Sequence, residues 1–387
     1  MNTKLFTKVK ICDYCNNKLT FSYRPVMTRR NNLTYQCEKC NLLQSIPQKK
    51  YAQRPPPSMS SNADRSSVKY SKGLALKKHI NFFSKNKIKF SNKQKILDIG
   101  SNREYFINYL HSLNIKPEIT AIETDKSLLD EYKKRKNVIK INKRIELCDI
   151  KENYYDFIYF SHTLEHVSSC SLVLEKLFKC LKHDGQAFVA VPNINNFKYD
   201  NFEEIFIDPH TYHFTNNSLL KFFEKHNFKV LYKNTKDNEI QYLITKNFKV
   251  DTSLRKYFSK NKVCFDKRMY LKRYNKILTS NRKKIKIVCK KLSKIYKNDI
   301  IFWGAGRYFD AFIRIGKLDK KIITCVFDAH LYKYFTKMHN IRLFKPTFKK
   351  EWKNHKIFVS SREYQKEIIM QAKKIGYKRF IKYGEFF

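Results

Sequence analysis

Residues Lys95–Phe106, KILDIGSNREYF, constrain this chain more than any other stretch. The apolar pair Ile96-Leu97 leads into Asp98-Ile-Gly100, a turn, and then an apolar helical pattern of Tyr105, Phe106, Tyr109 and Leu110. Strand, glycine turn and helix in that order bring a ligand against bare backbone and a helix N-terminus. Two acidic residues downstream narrow the ligand. Glu123 closes the apolar strand Ile119-Thr-Ala-Ile about 20 residues past the turn, where a carboxylate bonds ribose hydroxyls. Asp149 closes Ile145-Glu-Leu-Cys, read as one more strand, where a carboxylate takes an adenine amino group. Apolar strands starting at Asp156 and at Leu181 follow. The alternation predicts an α/β domain over residues 69–245 with a mainly parallel, Rossmann-like sheet covered on both faces.

Upstream, Cys12-Asp-Tyr-Cys15 and Cys37-Glu-Lys-Cys40 are separated by 21 residues. Each CxxC is a tight knuckle offering two thiolates to one tetrahedral ion, and two knuckles complete a closed four-sulfur shell. The hairpin between them, with Phe21, Tyr23 and Tyr35, is too small to fold unaided. A structural Zn2+ held by Cys12, Cys15, Cys37 and Cys40 supplies that stability, on the order of 10 kcal/mol. Residues 1–52 are therefore expected to be a zinc-ribbon-like domain. A closed shell leaves no position for catalysis. Residues 53–68, rich in proline and serine, are expected to be a linker, and Leu74, Leu76, Ile80 and Phe83 mark a helix over 72–84.

Beyond residue 245 the character changes. Residues 246–298 form a basic helical connector, 17 lysines and arginines lying within 251–298. Residues 299–387 read as a second, smaller α/β Rossmann-like domain opening on Ile300-Ile-Phe-Trp-Gly304-Ala-Gly306. Gly304, Gly306 and Asp328 make an incomplete dinucleotide fingerprint, too weak to argue for NAD.

The chain has 387 residues, 80 basic against 34 acidic, for a formal net charge of +46. Such an excess raises a nucleic-acid partner. The lysines are scattered through every segment, though, together with abundant asparagine, isoleucine, tyrosine and phenylalanine, so nucleic acid is not the favoured partner. No apolar run approaches the ~20 residues that span a bilayer, and cysteines in CxxC pairs read as metal ligands in a reducing compartment. A cytoplasmic location is expected. The oligomeric state is not legible.

The five central segments, in their order and spacing, resemble a class I S-adenosylmethionine-dependent methyltransferase. With the paired CxxC ahead and the Gly-Ala-Gly turn behind, the chain resembles bacterial methyltransferases of nucleotide-activated deoxysugars, both C- and O-methylating, in surface-glycan, capsule or secondary-metabolite pathways. The motifs carrying this resemblance are Asp98-Ile-Gly-Ser-Asn102, Leu164-Glu-His-Val167 and Val191-Pro-Asn193. The resemblance implies S-adenosyl-L-methionine as cofactor, held by Asp98, Gly100, Asn102, Glu123 and Asp149, and a sugar-nucleotide or glycan-precursor substrate. The family's Gly-Ser-Asn-Asp-Gly reads Gly-Ser-Asn-Arg103-Glu104 here, a departure that puts a carboxylate where glycine normally leaves room.

Methyl transfer to a hydroxyl or an acidic carbon requires in-line positioning and a base. The resemblance points to His210 in Asp208-Pro-His-Thr-Tyr-His-Phe-Thr215, with His213 as the alternative. A histidine base has to lose its proton near neutral pH. The competing expectation is that His210 bonds a backbone carbonyl and pins its loop. His162, Glu165 and His166 after the fourth strand, and Asn193 after the fifth, are expected to line the acceptor's side of the pocket. Two alternatives remain: an RNA methyltransferase or RNA-binding protein that uses the cysteine module and basic helix, and a non-catalytic scaffold that keeps the fold.

Overall fold

The computed structural model describes residues 11–25, 32–46, 75–130, 132–195, 204–206, 210–236, 239–248, 267–329, 331–333, 335–360 and 365–382. The expected linker 53–68 and Pro209 lie outside them. The chain divides into two compact units.

In the first unit, a seven-stranded sheet is built from β4 (Lys95–Ile99), β5 (Glu118–Ile122), β6 (Val138–Ile141), β7 (Tyr155–Ser161), β8 (Leu181–Pro192), β10 (Phe228–Asn234) and β11 (Glu239–Lys246). Its order is β10-β11-β8-β7-β4-β5-β6, with only β11 antiparallel to its neighbours. Period-two burial explains why these segments are strands. Ile96, Phe157, Tyr159, Phe188 and Leu243 turn to one face, and Leu97, Ile158, Phe160, Val189 and Tyr242 to the other. Helix α1, described over 75–85, and α2 (Tyr105–Ser112) cover the first face with Phe82, Phe83, Phe106 and Leu110. Helices α4 (Cys170–Cys180) and α5 (Asn216–Lys225) cover the second with Val173, Leu177, Leu219 and Phe222. A short α3 (Lys126–Asp130) follows β5. The strand order reverses at β4 and β7, which opens a crevice at their carboxyl ends.

The cysteine-bearing segment contributes β1 (Leu19–Tyr23), β2 (Leu33–Cys37) and β3 (Leu43–Ile46). Its antiparallel sheet takes a fourth strand from elsewhere: β9 (Tyr212–His213), with Leu43 opposite His213 and Gln44 opposite Tyr212. Cys12, Leu19, Tyr35 and Leu42 join the same apolar cluster as α4 and α5. A polar clamp sits beside it. Ser169 caps α4, its Oγ accepting from Leu172 N at 3.1 Å and donating to Asp13 Oδ1 at 2.7 Å. Asp13 Oδ2 accepts from Ser171 N at 2.9 Å, so a carboxylate from the first knuckle lies against the positive end of a helix.

The second unit takes in α6 (Lys267–Ile295) from Tyr274 onward. Its sheet runs β14-β15-β13-β12-β16-β17, where β12 is Ile300–Trp303, β13 Ile323–Phe327, β14 Lys337–Met338, β15 Ile341–Phe344, β16 Lys356–Val359 and β17 Phe380–Lys382. Helices α7 (Arg307–Arg314) and α8 (Gln365–Lys374) complete the α/β unit. Gly304 takes φ +108°, and Asp328 closes the turn by accepting from Ala305 N at 3.1 Å.

Asp13→Ala removes two charge-assisted hydrogen bonds at a helix N-terminus. The unfolding free energy from the urea midpoint should fall by about 1.5–3 kcal/mol. Glu38→Ala, at an exposed residue of the second knuckle, should stay within about 0.5 kcal/mol of the native value.

Candidate active site

The glycine turn is tightly specified. Gly100 has φ +72°, and a Cβ there would lie 2.0 Å from Thr163 Oγ1, so no other residue fits without moving β7's terminus. Gly100 N and Ser101 N both donate to Ile122 O, at 2.8 and 3.2 Å. Glu123, at the end of β5, spans the crevice wall. Its Oε2 accepts from Asn102 N at 2.9 Å and its Oε1 from Asp125 N at 3.0 Å. Asp98 is buried at the end of β4. Asp98, Gly100, Asn102 and Glu123 therefore gather at one place on the sheet's carboxyl edge. The bare backbone at Gly100 and the lone pairs left on Glu123 suit a nucleoside with a charged tail.

Glu104 does not face that crevice as a ligand. It takes φ 57°, ψ 27° at the N-cap of α2, a left-handed conformation in which a non-glycine residue stores roughly 1 kcal/mol or more. Its Oε1 forms an ion pair with Arg135 Nη1, and its Oε2 accepts from Lys133 N at 3.2 Å. Arg135 also donates to Asn108 Oδ1 at 2.7 Å. The carboxylate thus ties the start of α2 to the loop before β6, and a buried ion pair offsets the strained backbone.

Asp149 departs from expectation. Ile145–Leu147 is a 3-10 turn, not a strand, and Asp149 is exposed beyond it. Buried Ile145 and Cys148 fall three apart, a helical turn's spacing. Glu146 Oε1 holds the turn, accepting from Ser168 N at 2.7 Å and Arg144 Nη2 at 2.8 Å. Asn193, half-buried past β8, accepts from Asn195 N at 3.1 Å through Oδ1.

The residues expected on the acceptor's side form a row of imidazoles and carboxylates. His79 Nε2 lies 3.1 Å from Glu239 Oε1, and His162 Nε2 lies 2.7 Å from Glu239 Oε2. His162 Nδ1 lies 3.6 Å from Glu165 Oε1, and His166 Nε2 lies 3.7 Å from the same oxygen. The rings of His166 and His210 are 4.9 Å apart. Burial alone would strip His162 of its proton, but the carboxylates of Glu165 and Glu239 outweigh it and raise its pKa to about 9. Burial likewise opposes charge on Glu165, and the imidazoles of His166, His162 and His210 overcome it, holding the carboxyl at about 2.

His210 and His213 are different. Burial, reinforced at His210 by His166, depresses each to about 3. His210 Nδ1 lies 3.1 Å from Ile205 O, which can only accept, so Nδ1 carries the hydrogen and Nε2 the lone pair. His213 Nε2 lies 2.6 Å from Ser45 Oγ of β3. The expectation of a histidine titrating near neutral pH is corrected accordingly. The two rings are neutral, and one is pinned to a carbonyl, because the loop carrying them is buried. Sequence reasoning missed Glu239 and His79. The available signals were an acid opening the apolar run Ile240–Thr245, and a histidine on the Leu76–Ile80–Phe83 side of a helix.

The four cysteines converge as well. The Cys12–Cys40 and Cys15–Cys37 sulfurs are each 3.4 Å apart, and all four lie within 4.8 Å of one another. Tetrahedral Zn–S bonds of about 2.3 Å place sulfurs about 3.8 Å apart, so the quartet fits such an ion.

The shifted groups fix the sign of the pH dependence. Unfolded, His210 and His213 take up a proton near 6.5, but folded they refuse it until about 3. Stability is therefore lost as pH falls below 6.5. His162 acts in the other direction, its contribution being complete below 6.5 and lost as pH rises through 9. Urea unfolding across pH 4–9 should show a maximum near neutrality. His213→Asn should flatten the acid limb by up to about 1.4 kcal/mol per pH unit.

Residues 69–233 match the family model described as a methyltransferase domain. Solved structures similar to the chain include S-adenosylmethionine-dependent methyltransferases from Mesorhizobium loti (9% identity, TM-score 0.37, covering 41% of this chain and 94% of that one), from Clostridium acetobutylicum (13%, 0.34, 43% and 89%) and from Methanosarcina mazei (14%, 0.35, 41% and 95%). None of the curated proteins compared with the chain matches it. Among the described residues no helix is long and apolar enough to cross a membrane. The matched region lies over the glycine turn and its crevice, so residues 69–233 are a methyltransferase domain.

Proposed function

We propose that the chain methylates a hydroxyl of a nucleotide-activated sugar or glycan precursor, and that the observation carrying this reading is the placement of two unlike sites on one sheet edge. Asp98, Gly100, Asn102 and Glu123 gather on the β4–β5 side, and His162, Glu165, His166 and His210 on the β7 side and its neighbouring loop. The cofactor, S-adenosyl-L-methionine, supplies a methyl group on a sulfonium. Glu123 would accept the ribose hydroxyls with the lone pairs its backbone donors leave over, and Gly100 would let the ligand approach without a Cβ in the way. Asp149, exposed beyond its 3-10 turn, would take the adenine amino group.

The acceptor would lie against Glu165, His166 and the Nε2 lone pair of His210. These residues would hold the acceptor hydroxyl towards the methyl group that the cofactor would supply, and the hydroxyl proton would pass to solvent. A histidine held at about 3 is a poor general base at neutral pH, so His210 orients the hydroxyl and does not strip it. Zn2+ in the four-cysteine shell would be structural, holding together the two knuckles, the first of which carries Asp13. One feature favours a second acceptor, an RNA sugar hydroxyl. α6 carries 12 lysines and arginines and no acidic residue, with Lys276, Lys283, Lys286 and Lys290 exposed.

Titration calorimetry with S-adenosylhomocysteine tests the cofactor half. We expect micromolar binding, weakened about 10–100-fold by Glu123→Ala, the loss of a charged hydrogen bond worth about 1.5–3 kcal/mol. No binding by the native chain would sink the reading. Methylation assays on sugar nucleotides and on short RNAs separate the acceptors, and only an RNA substrate should lose affinity steeply between 50 and 200 mM salt.

A further inference from the structure

Two clusters of histidine and glutamate stand on the acceptor side, and their hydrogen-bond accounts differ. In His79–Glu239–His162 every strong valence is taken within the protein. Glu239 Oε1 meets His79 Nε2 and Gln241 Nε2, its Oε2 meets His162 Nε2, and His79 Nδ1 is 2.7 Å from Tyr159 OH. In Glu165–His166–His210 the account stays open. Glu165 is only 2% exposed, yet its Oε2 has no hydrogen-bond partner among the described residues. Leaving a buried carboxylate oxygen unmatched is costly, and native structures rarely do so without an ion, a water or a ligand to meet it.

The other two groups complete a donor set. His210 spends its Nδ1–H on Ile205 O, which leaves Nε2 as a fixed lone pair. His166 sits next to Glu165 with its side chain 33% exposed, which provides the way in. The backbone holds the three together, since Thr211 N donates to Glu165 O at 2.7 Å and Arg144 Nη2 to His166 O at 3.0 Å. One donor atom from each residue lies within 4.8 Å of the others. An ion bound at about 2.1 Å by each would draw them to roughly 3 Å apart, a closure of at most about 1.8 Å between any pair, which side-chain rotation supplies.

We propose that Glu165, His166 and His210 bind a divalent first-row cation. Two imidazoles and one carboxylate on one side of an ion leave its remaining positions open, and that donor set suits Mn2+, Fe2+ or Zn2+. The open positions face the acceptor. This part of the inference rests on the acceptor reading above and deepens it: a hydroxyl touching a dication ionises far more readily than a free one. With the ion bound, the His210 Nε2 lone pair goes to the ion, which orients the hydroxyl in its place. The site thereby provides the acidity that His210 alone does not, and the acceptor it fits is an alcohol, in particular a vicinal diol able to fill two positions at once.

The test uses the full chain with its cysteine site loaded with zinc. Mn2+, which thiolates bind poorly, is titrated in, and the free ion is followed by its electron paramagnetic resonance signal. We expect one equivalent bound, weakened at least tenfold in both Glu165→Gln and His166→Asn, with zinc content and S-adenosylhomocysteine affinity unchanged within threefold. Should Glu165→Gln fail to fold, His166→Asn decides, its side chain being partly exposed. The proposal is overturned if the native chain takes up neither Mn2+ nor Co2+ beyond the cysteine site, or if His166→Asn binds Mn2+ as the native chain does. Mn2+ binding without S-adenosylhomocysteine binding would sink the cofactor reading and leave this site standing.

Discussion

Two residues of backbone pairing hold the histidine-bearing loop of this protein in place. β9 consists of Tyr212 and His213 alone, and it completes a sheet whose other three strands come from the cysteine-bearing segment. Ser45 N donates to Thr211 O at 2.8 Å on one side, while Thr211 N donates to Glu165 O on the other. The loop bearing His210 is thus stitched both to the module and to the turn after β7. Tyr212 adds its hydroxyl, which accepts from Cys170 N at 3.1 Å and donates to Ser168 O at 3.2 Å near the start of α4. Pull the module away and the histidines lose the surroundings that make them neutral.

Burial then divides the labour among the ionisable groups. Charge survives in the interior only where an opposite charge or a hydrogen bond meets it. His162 satisfies that condition between Glu165 and Glu239, and it stays protonated. Among the described residues His210 and His213 have no carboxylate at hydrogen-bonding distance, only a carbonyl and a serine hydroxyl, and they stay neutral. The same rule explains Glu104. A glutamate in a left-handed, buried position is tolerated because Arg135 reaches it from the loop before β6. The charge that replaces the family's glycine serves the scaffold.

Much of this was legible in the sequence where the physics is local. The strand–turn–helix around Gly100, the acidic residue ending the next strand, and the spacing of the two knuckles each follow from a few adjacent residues. What stayed hidden depends on distance along the chain. Nothing near Glu104 announces Arg135, 31 residues on. Nothing near Ser45 announces His213, 168 residues away. The segment Ile145–Cys148 has the composition of a strand, but Glu146 is captured by Ser168 N and the chain turns instead. A histidine's motif gives its place on the sheet edge, whereas its proton depends on the packing of the whole loop.

The central claim is that the cysteine knuckles hold the histidine-bearing loop from outside the sheet, and hydrogen exchange resolved by residue tests it most directly. In a Cys37→Ser chain the amides of residues 33–46 should lose protection, and those of Thr211–Phe214 should lose it with them by at least tenfold. β4 and β5 should change less than threefold. If Thr211–Phe214 keep their protection while residues 33–46 exchange freely, the loop is held by the sheet alone and the account is wrong.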